Sequence, residues 1–121
     1  MAVKDVVVVS IPVSDPERAK TFYVDQLGLE LRRDDSSVPG MRWIQVAPTG
    51  SSTSLTLVTW FETMAPGSLR GLVLTSSDLQ GDYGALTARG VEFEGPPQRQ
   101  PWAMEAVLHD PDGNGIVLQQ A

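Results

Sequence analysis

The chain contains no cysteine and one histidine among its 121 residues. The first absence excludes a disulfide framework, thiolate metal ligation and a cysteine nucleophile together. The second leaves His109 as the sole imidazole, so a nucleophile–base pair is hard to assemble. Basic residues are also scarce, 9 Lys and Arg against 15 Asp and Glu, for a net charge of -6. Such a chain repels phosphate backbones, which argues against nucleic acid as a partner. Long apolar runs are missing. Val6 to Val9 is too short for a membrane span or the core of a signal peptide, so the expectation is a soluble, cytoplasmic protein. Glycine-rich phosphate loops are absent as well, because Gly113-Asn114-Gly115 belongs to a hairpin turn. The length favours one domain, 1–121.

What the sequence does contain is an order of signals that occurs twice. The β-branched run Val6 to Val9 reads as a buried strand continuing to Ile11. Ser14-Asp15-Pro16-Glu17 then offers a helix cap with proline in the first turn. Ala19, Phe22, Tyr23 and Leu27 recur at helical spacing, and Gly28 suits the stop. In the second half Gly71 to Leu74 reads as a strand and Ser77-Asp78-Leu79-Gln80 as a cap. Tyr83 and Leu86 form the helical stripe, and Gly90 is the stop. Asp15 and Asp78 lie 63 residues apart, as do Pro48 and Pro111, Gly50 and Gly113, and Leu55 and Leu118; Gly28 and Gly90 lie 62 apart. Further strands are expected near 29–33, 41–47 and 54–59, and near 91–93, 102–109 and 115–120, the last pair joined by the strong turn Asp110-Pro111-Asp112-Gly113-Asn114. The reading is α+β: two tandem βαβββ modules, 1–63 and 64–121, pairing because one such sheet alone leaves an unburied face and open edges. Trp60 to Leu69, with Pro66 and Gly67, reads as the linker.

This pattern resembles the vicinal oxygen chelate superfamily, which groups glyoxalase I, extradiol dioxygenases, fosfomycin-resistance transferases and bleomycin-resistance proteins. The residues that carry it are Ile11-Pro12-Val13-Ser14-Asp15, Ala19, Phe22-Tyr23, Leu27-Gly28 and Asp110-Pro111-Asp112-Gly113-Asn114, spanning nearly the whole chain. The resemblance implies an open, incomplete mixed β-barrel around a cavity, and commonly a homodimer. It is silent on the reaction, since this scaffold hosts many. Metal-binding members carry inward ligands on the first and last strands of each module. The matching positions here are Val8, Gly71, Val117 and either Ser54 or Thr56. Zinc, iron or manganese prefers imidazole, carboxylate or thiolate at three or more positions, so no metal and no cofactor are expected.

Strand alternation then names the neighbours of those positions. Val8 shares a face with Ser10; Ser54 and Thr56 with Val58 and Trp60; Gly71 with Val73 and Thr75; Val117 with Gln119. Resemblance to the fosfomycin-resistance transferases adds Glu105 and Val107 as substrate contacts, and the 63-residue repeat makes Arg42 the counterpart of Glu105. The candidate ligand-binding set is therefore Ser10, Arg42, Thr56, Trp60, Val73, Glu105, Val107 and Gln119. Trp43 and Trp102 have the other parity and are expected beneath the helices, and His109 is expected to point outward, away from the face of Glu105 and Val107. Phe61 and Met64 are candidates for an apolar lip at the cavity mouth.

Two functions follow as expectations. One is a metal-independent small-molecule binder of the glyoxalase/bleomycin-resistance type, sequestering an antibiotic or natural product. The alternative is a glyoxalase-like enzyme of the lyase, isomerase or dioxygenase class, using Glu105 as a candidate catalytic group with Arg42, or a metal site the motifs do not reveal.

Overall fold

A computed structural model describes residues 1–121. The elements run β1 (Val8–Pro12), α1 (Pro16–Lys20) continued by a π-helical segment (Thr21–Gln26), β2 (Glu30–Val38), β3 (Met41–Ala47) and β4 (Ser54–Val58). Then follow β5 (Leu72–Ser76), α2 (Leu79–Ala88), β6 (Glu92–Phe93), β7 (Gln98–Arg99), β8 (Met104–His109) and β9 (Gly115–Gln120). No helix is long and apolar enough to cross a membrane.

Two sheets result, ordered β1-β4-β3-β2 and β5-β9-β8-β6, with β7 also pairing β8. In each, the first strand runs parallel to its neighbour and the other pairings are antiparallel. The fold is thus α+β with mixed sheets, and no closed barrel forms within the chain. The β1 strand begins two residues later than the valine run suggests. Val6 and Val7 remain 63% and 68% exposed, although their carbonyls accept from Thr53 Oγ1 and the Ser54 amide.

Local chemistry explains the helices. Asp15 Oδ1 accepts from the amides of Glu17 and Arg18 at 3.1 and 3.2 Å, and Asp78 Oδ1 from Gly81 at 3.1 Å. Gly28 ends the first helix with φ 83° and Gly90 the second with φ 89°, a region costly for any other residue. From cap to stop the first helix is one residue longer. The wider π turn, marked by the Leu27 amide bonding Phe22 O at 2.8 Å, accommodates that residue and buries Phe22 and Tyr23 side by side.

One apolar cluster takes residues from both sheets and both helices: Ile11, Phe22, Tyr23, Ile44, Val46, Leu55 and Leu57 from one half, Leu79, Leu86, Ala106, Leu108, Ile116 and Leu118 from the other. The sheets therefore turn their helix-covered sides toward a common core and their other sides outward. A polar latch joins the halves. Buried Asp110 accepts from Tyr23 Oη at 2.7 Å and Asn114 Nδ2 at 2.8 Å, while Asn114 Nδ2 also reaches Pro12 O. Asp112 adds bonds from Ser14 Oγ and Arg18. The linker is tied down too, since the Gly67 amide bonds Pro12 O and the Leu69 amide bonds Asn114 Oδ1.

Candidate functional site

The outward face of the first sheet follows from register. Ile11, Leu57 and Ile44 are hydrogen-bonded neighbours on the core side. Their sequence neighbours Ser10, Thr56 and Gln45 are paired on the outward side, and Arg33 pairs Gln45 beyond them. At one end of this face Trp43 stacks on Trp60, ring centroids 5.8 Å apart and planes inclined by 22°. Phe61, 48% exposed, lies 6.1 Å from Trp60, and the Arg33 guanidinium stands 5.7 Å over the Trp43 ring. Trp43 Nε1 donates to Gln45 Oε1 at 3.0 Å. Thr56 Oγ1, fully buried beside Gln45, has no hydrogen-bond partner, an omission that costs about 1–3 kcal/mol in a folded protein.

Arg32 closes the other end of the same face. It is the extra residue of a bulge between Leu31, which pairs Val46, and Arg33, which pairs Gln45. Its Nη1 donates to buried Ser54 Oγ at 3.1 Å, its Nη2 to Pro48 O at 3.3 Å and its Nε to Glu30 Oε2 at 3.3 Å.

On the second sheet Val73, Thr75, Val107, Val117, Gln119 and Glu105 share the outward side, alternating with core residues Leu108, Ile116 and Leu118. Glu105 Oε2 accepts from Trp102 Nε1 at 3.1 Å. Glu94, Gln98, Gln100, Glu105 and Val107 line a shallow cavity of about 250 Å³. His109 takes this side as well, because residues two apart on a strand share a face. Its Nε2 lies 2.8 Å from Glu94 Oε2.

The candidate residues thus divide three ways. Ser10, Thr56 and Trp60 lie on the first outward face, and Val73, Glu105, Val107 and Gln119 on the second. Arg42 lies on neither. It is on the core side of β3, where its guanidinium bonds Asp34 at 2.9–3.0 Å and Glu17 at 2.9 Å, with Lys20 on the same Asp34 carboxylate. Those hydrogen bonds, from Arg42 first and Lys20 second, hold the Asp34 carboxyl well below the usual carboxylate range. The π turn explains the displacement. Ile44 pairs Leu57, which pairs Ile11, and Ala106 pairs Leu118, which pairs Leu74. Ala106 therefore occupies the place of Ile44, 62 residues earlier, and the counterpart of Glu105 is Trp43. The same shift brings Trp43 out from beneath the helix. The signal was present in the helix stops, already 62 apart. Arg32 had no such signal, because its bulge breaks the alternation.

Of the positions matched to metal ligands, Val8 pairs Ser54, Thr56 lies two residues along β4, Gly71 precedes β5, and Val117 pairs Val73. No three His, Cys, Asp or Glu side chains converge anywhere in the chain. This donor set does not fit zinc, iron or manganese.

The fold and the outward faces agree with a family comparison: the chain belongs to the glyoxalase/bleomycin resistance protein/dioxygenase superfamily, whose model matches residues 5–118. Among solved structures it is similar to TnmS3, an antibiotic binding protein from Streptomyces sp. CB03234, with 52% identity, 99% of this chain and 98% of that one covered, and a TM-score of 0.93. A glyoxalase/bleomycin resistance protein from the same organism shares 51% identity over 96% of this chain and 100% of that one, with a TM-score of 0.86. A superfamily member from Sphaerobacter thermophilus DSM 20745 shares 37% identity, with full coverage of both chains and a TM-score of 0.93.

Proposed function

We infer that the chain is a metal-independent binder that sequesters a small planar molecule, an antibiotic or another natural product, without altering it. The observation that carries this reading is the Trp43–Trp60 stack on an outward sheet face, bordered by Phe61 and by the amide and hydroxyl groups of Gln45 and Thr56. Indole faces hold planar groups, and sparse polar groups beside them fix orientation. The similarity to an antibiotic binding protein at 52% identity supports the ligand class.

In this reading the two halves, 1–63 and 64–121, are modules of one domain, and the barrel closes around the ligand when two copies of the chain meet. Each sheet ends in a free edge strand, β1 or β5, near the exposed Val6, Val7 and Val73. The first outward face carries Arg32 and Arg33, each bonded to a carboxylate of its own strand (Glu30 and Asp35), and the second carries Glu94 and Glu105. A homodimer brings the two faces together by symmetry.

Titration of tryptophan emission with a panel of planar aromatic antibiotics tests the reading. Saturable quenching is expected, weakened at least tenfold by Trp43→Ala, on the order of one lost aromatic contact. Flat emission across the panel contradicts it. A second reading, an enzyme with Glu105 as proton carrier, draws on the cavity that Glu94 and Glu105 share. Glu105→Gln separates the two: an enzyme loses turnover and keeps binding, whereas a binder has no turnover to lose. Arg42 takes no part in either, being committed to Asp34 and Glu17 across the sheet.

A further inference from the structure

We propose that Arg32 is a specificity-determining residue that receives a hydrogen-bond-accepting oxygen of the ligand, so that the ligand is an aromatic system with a carbonyl, carboxylate or phenolate group at one end. The assignment rests on the proposed binding role of the first outward face and adds to it the chemistry of the end remote from the indoles. Three of the five guanidinium N–H donors are used, one each on Glu30, Ser54 and Pro48, and the planar fork cannot redirect the others. Two donors remain. The side chain keeps 24% of its surface exposed. Its anchors hold it in place: the Ser54 hydroxyl is buried, and the Pro48 carbonyl belongs to the turn between β3 and β4.

Thr56 supplies an independent indication. Its buried hydroxyl lies two residues from Ser54 on the same side of β4 and lacks any partner. The row from Ser54 through Thr56 to the level of Trp43 spans about 13 Å at the rise of a strand. That length suits two or three fused rings with an oxygen substituent at the far end. The guanidinium also bonds Ser54, which with Thr56 is one of two alternative matches to a metal-ligand position in relatives. It supplies fixed positive charge there without a metal, and its fork selects for acceptor geometry as a point charge does not.

The test uses three probes of one shape: anthracene-2-carboxylate, anthracene-2-carboxamide and 2-methylanthracene, titrated by tryptophan quenching. Wild type should bind the two acceptor probes about tenfold more tightly than the methyl probe, as one hydrogen bond to a charged group provides. Arg32→Met should abolish that preference, bringing the three affinities together. Ser54→Ala keeps the charge but frees the guanidinium, and should reduce the preference in a chain whose thermal midpoint shows it folded. Equal affinity for all three probes in wild type, or a preference that survives both substitutions, overturns the role of Arg32 while leaving the indole shelf standing. Failure of all three probes to bind contradicts the shelf itself, and this assignment with it.

Discussion

Tyr23 and Asp110 meet where the two halves of the chain touch, and the bond between them shows how one side chain is set by its surroundings. Burial, with the Asp110 carboxylate beside it, pushes the Tyr23 hydroxyl well above the ordinary phenol range. A raised folded value means that its stabilising effect is complete below the ordinary value of 10.0 and declines as pH rises past it. Tyr23→Phe removes one donor from a carboxylate that keeps Asn114 Nδ2 and the amides of Asp112 and Asn114. It should lower stability by about 1–2 kcal/mol near neutral pH and blunt the loss of stability above about pH 10, both read from urea midpoints. An unchanged midpoint would mean that the latch does not hold the halves together. Thr56 lies at the opposite extreme, a buried hydroxyl without a partner on the face assigned to the ligand.

At the level of the elements, α1 is fixed to the β2–β3 ribbon by Glu17, Lys20, Asp34 and Arg42. The lowered Asp34 value means that this support is present above the ordinary carboxylate value of 3.8 and is lost as pH falls below it. Asp34→Asn should therefore flatten the decline of the urea midpoint between about pH 5 and pH 2, by a modest amount because the cluster is solvated. A decline as steep as that of wild type would remove Asp34 from the account. The order of these elements was legible in the sequence because caps, glycine stops and turn residues mark boundaries independently of tertiary packing. The sides of the strands were less so. One extra residue in the first helix, taken up as a π turn, reverses the alternation at Arg42 and Trp43, and a bulge does the same at Arg32. Neither device has a local residue signature, so parity carried across them exchanges core side for outward side. For His109 no such device intervenes, and the strand's own alternation places it with Glu105 and Val107.

For the molecule as a whole, the proposed account turns on two outward faces that a second copy brings together. Sedimentation velocity should give twice the 13.1 kDa chain mass. Val73→Lys, which places a charge on the exposed apolar surface beside the free edge of β5, should give a folded monomer; a wild-type monomer at micromolar concentration would contradict the shared cavity. The central claim is that indoles and a guanidinium hold the ligand with no metal taking part. The most direct measurement is a calorimetric titration of the chelator-treated protein with a planar aromatic antibiotic that quenches its tryptophans, repeated after addition of zinc, manganese or iron(II). The account predicts the same affinity in every case. Binding that appears only once a metal is restored would contradict it.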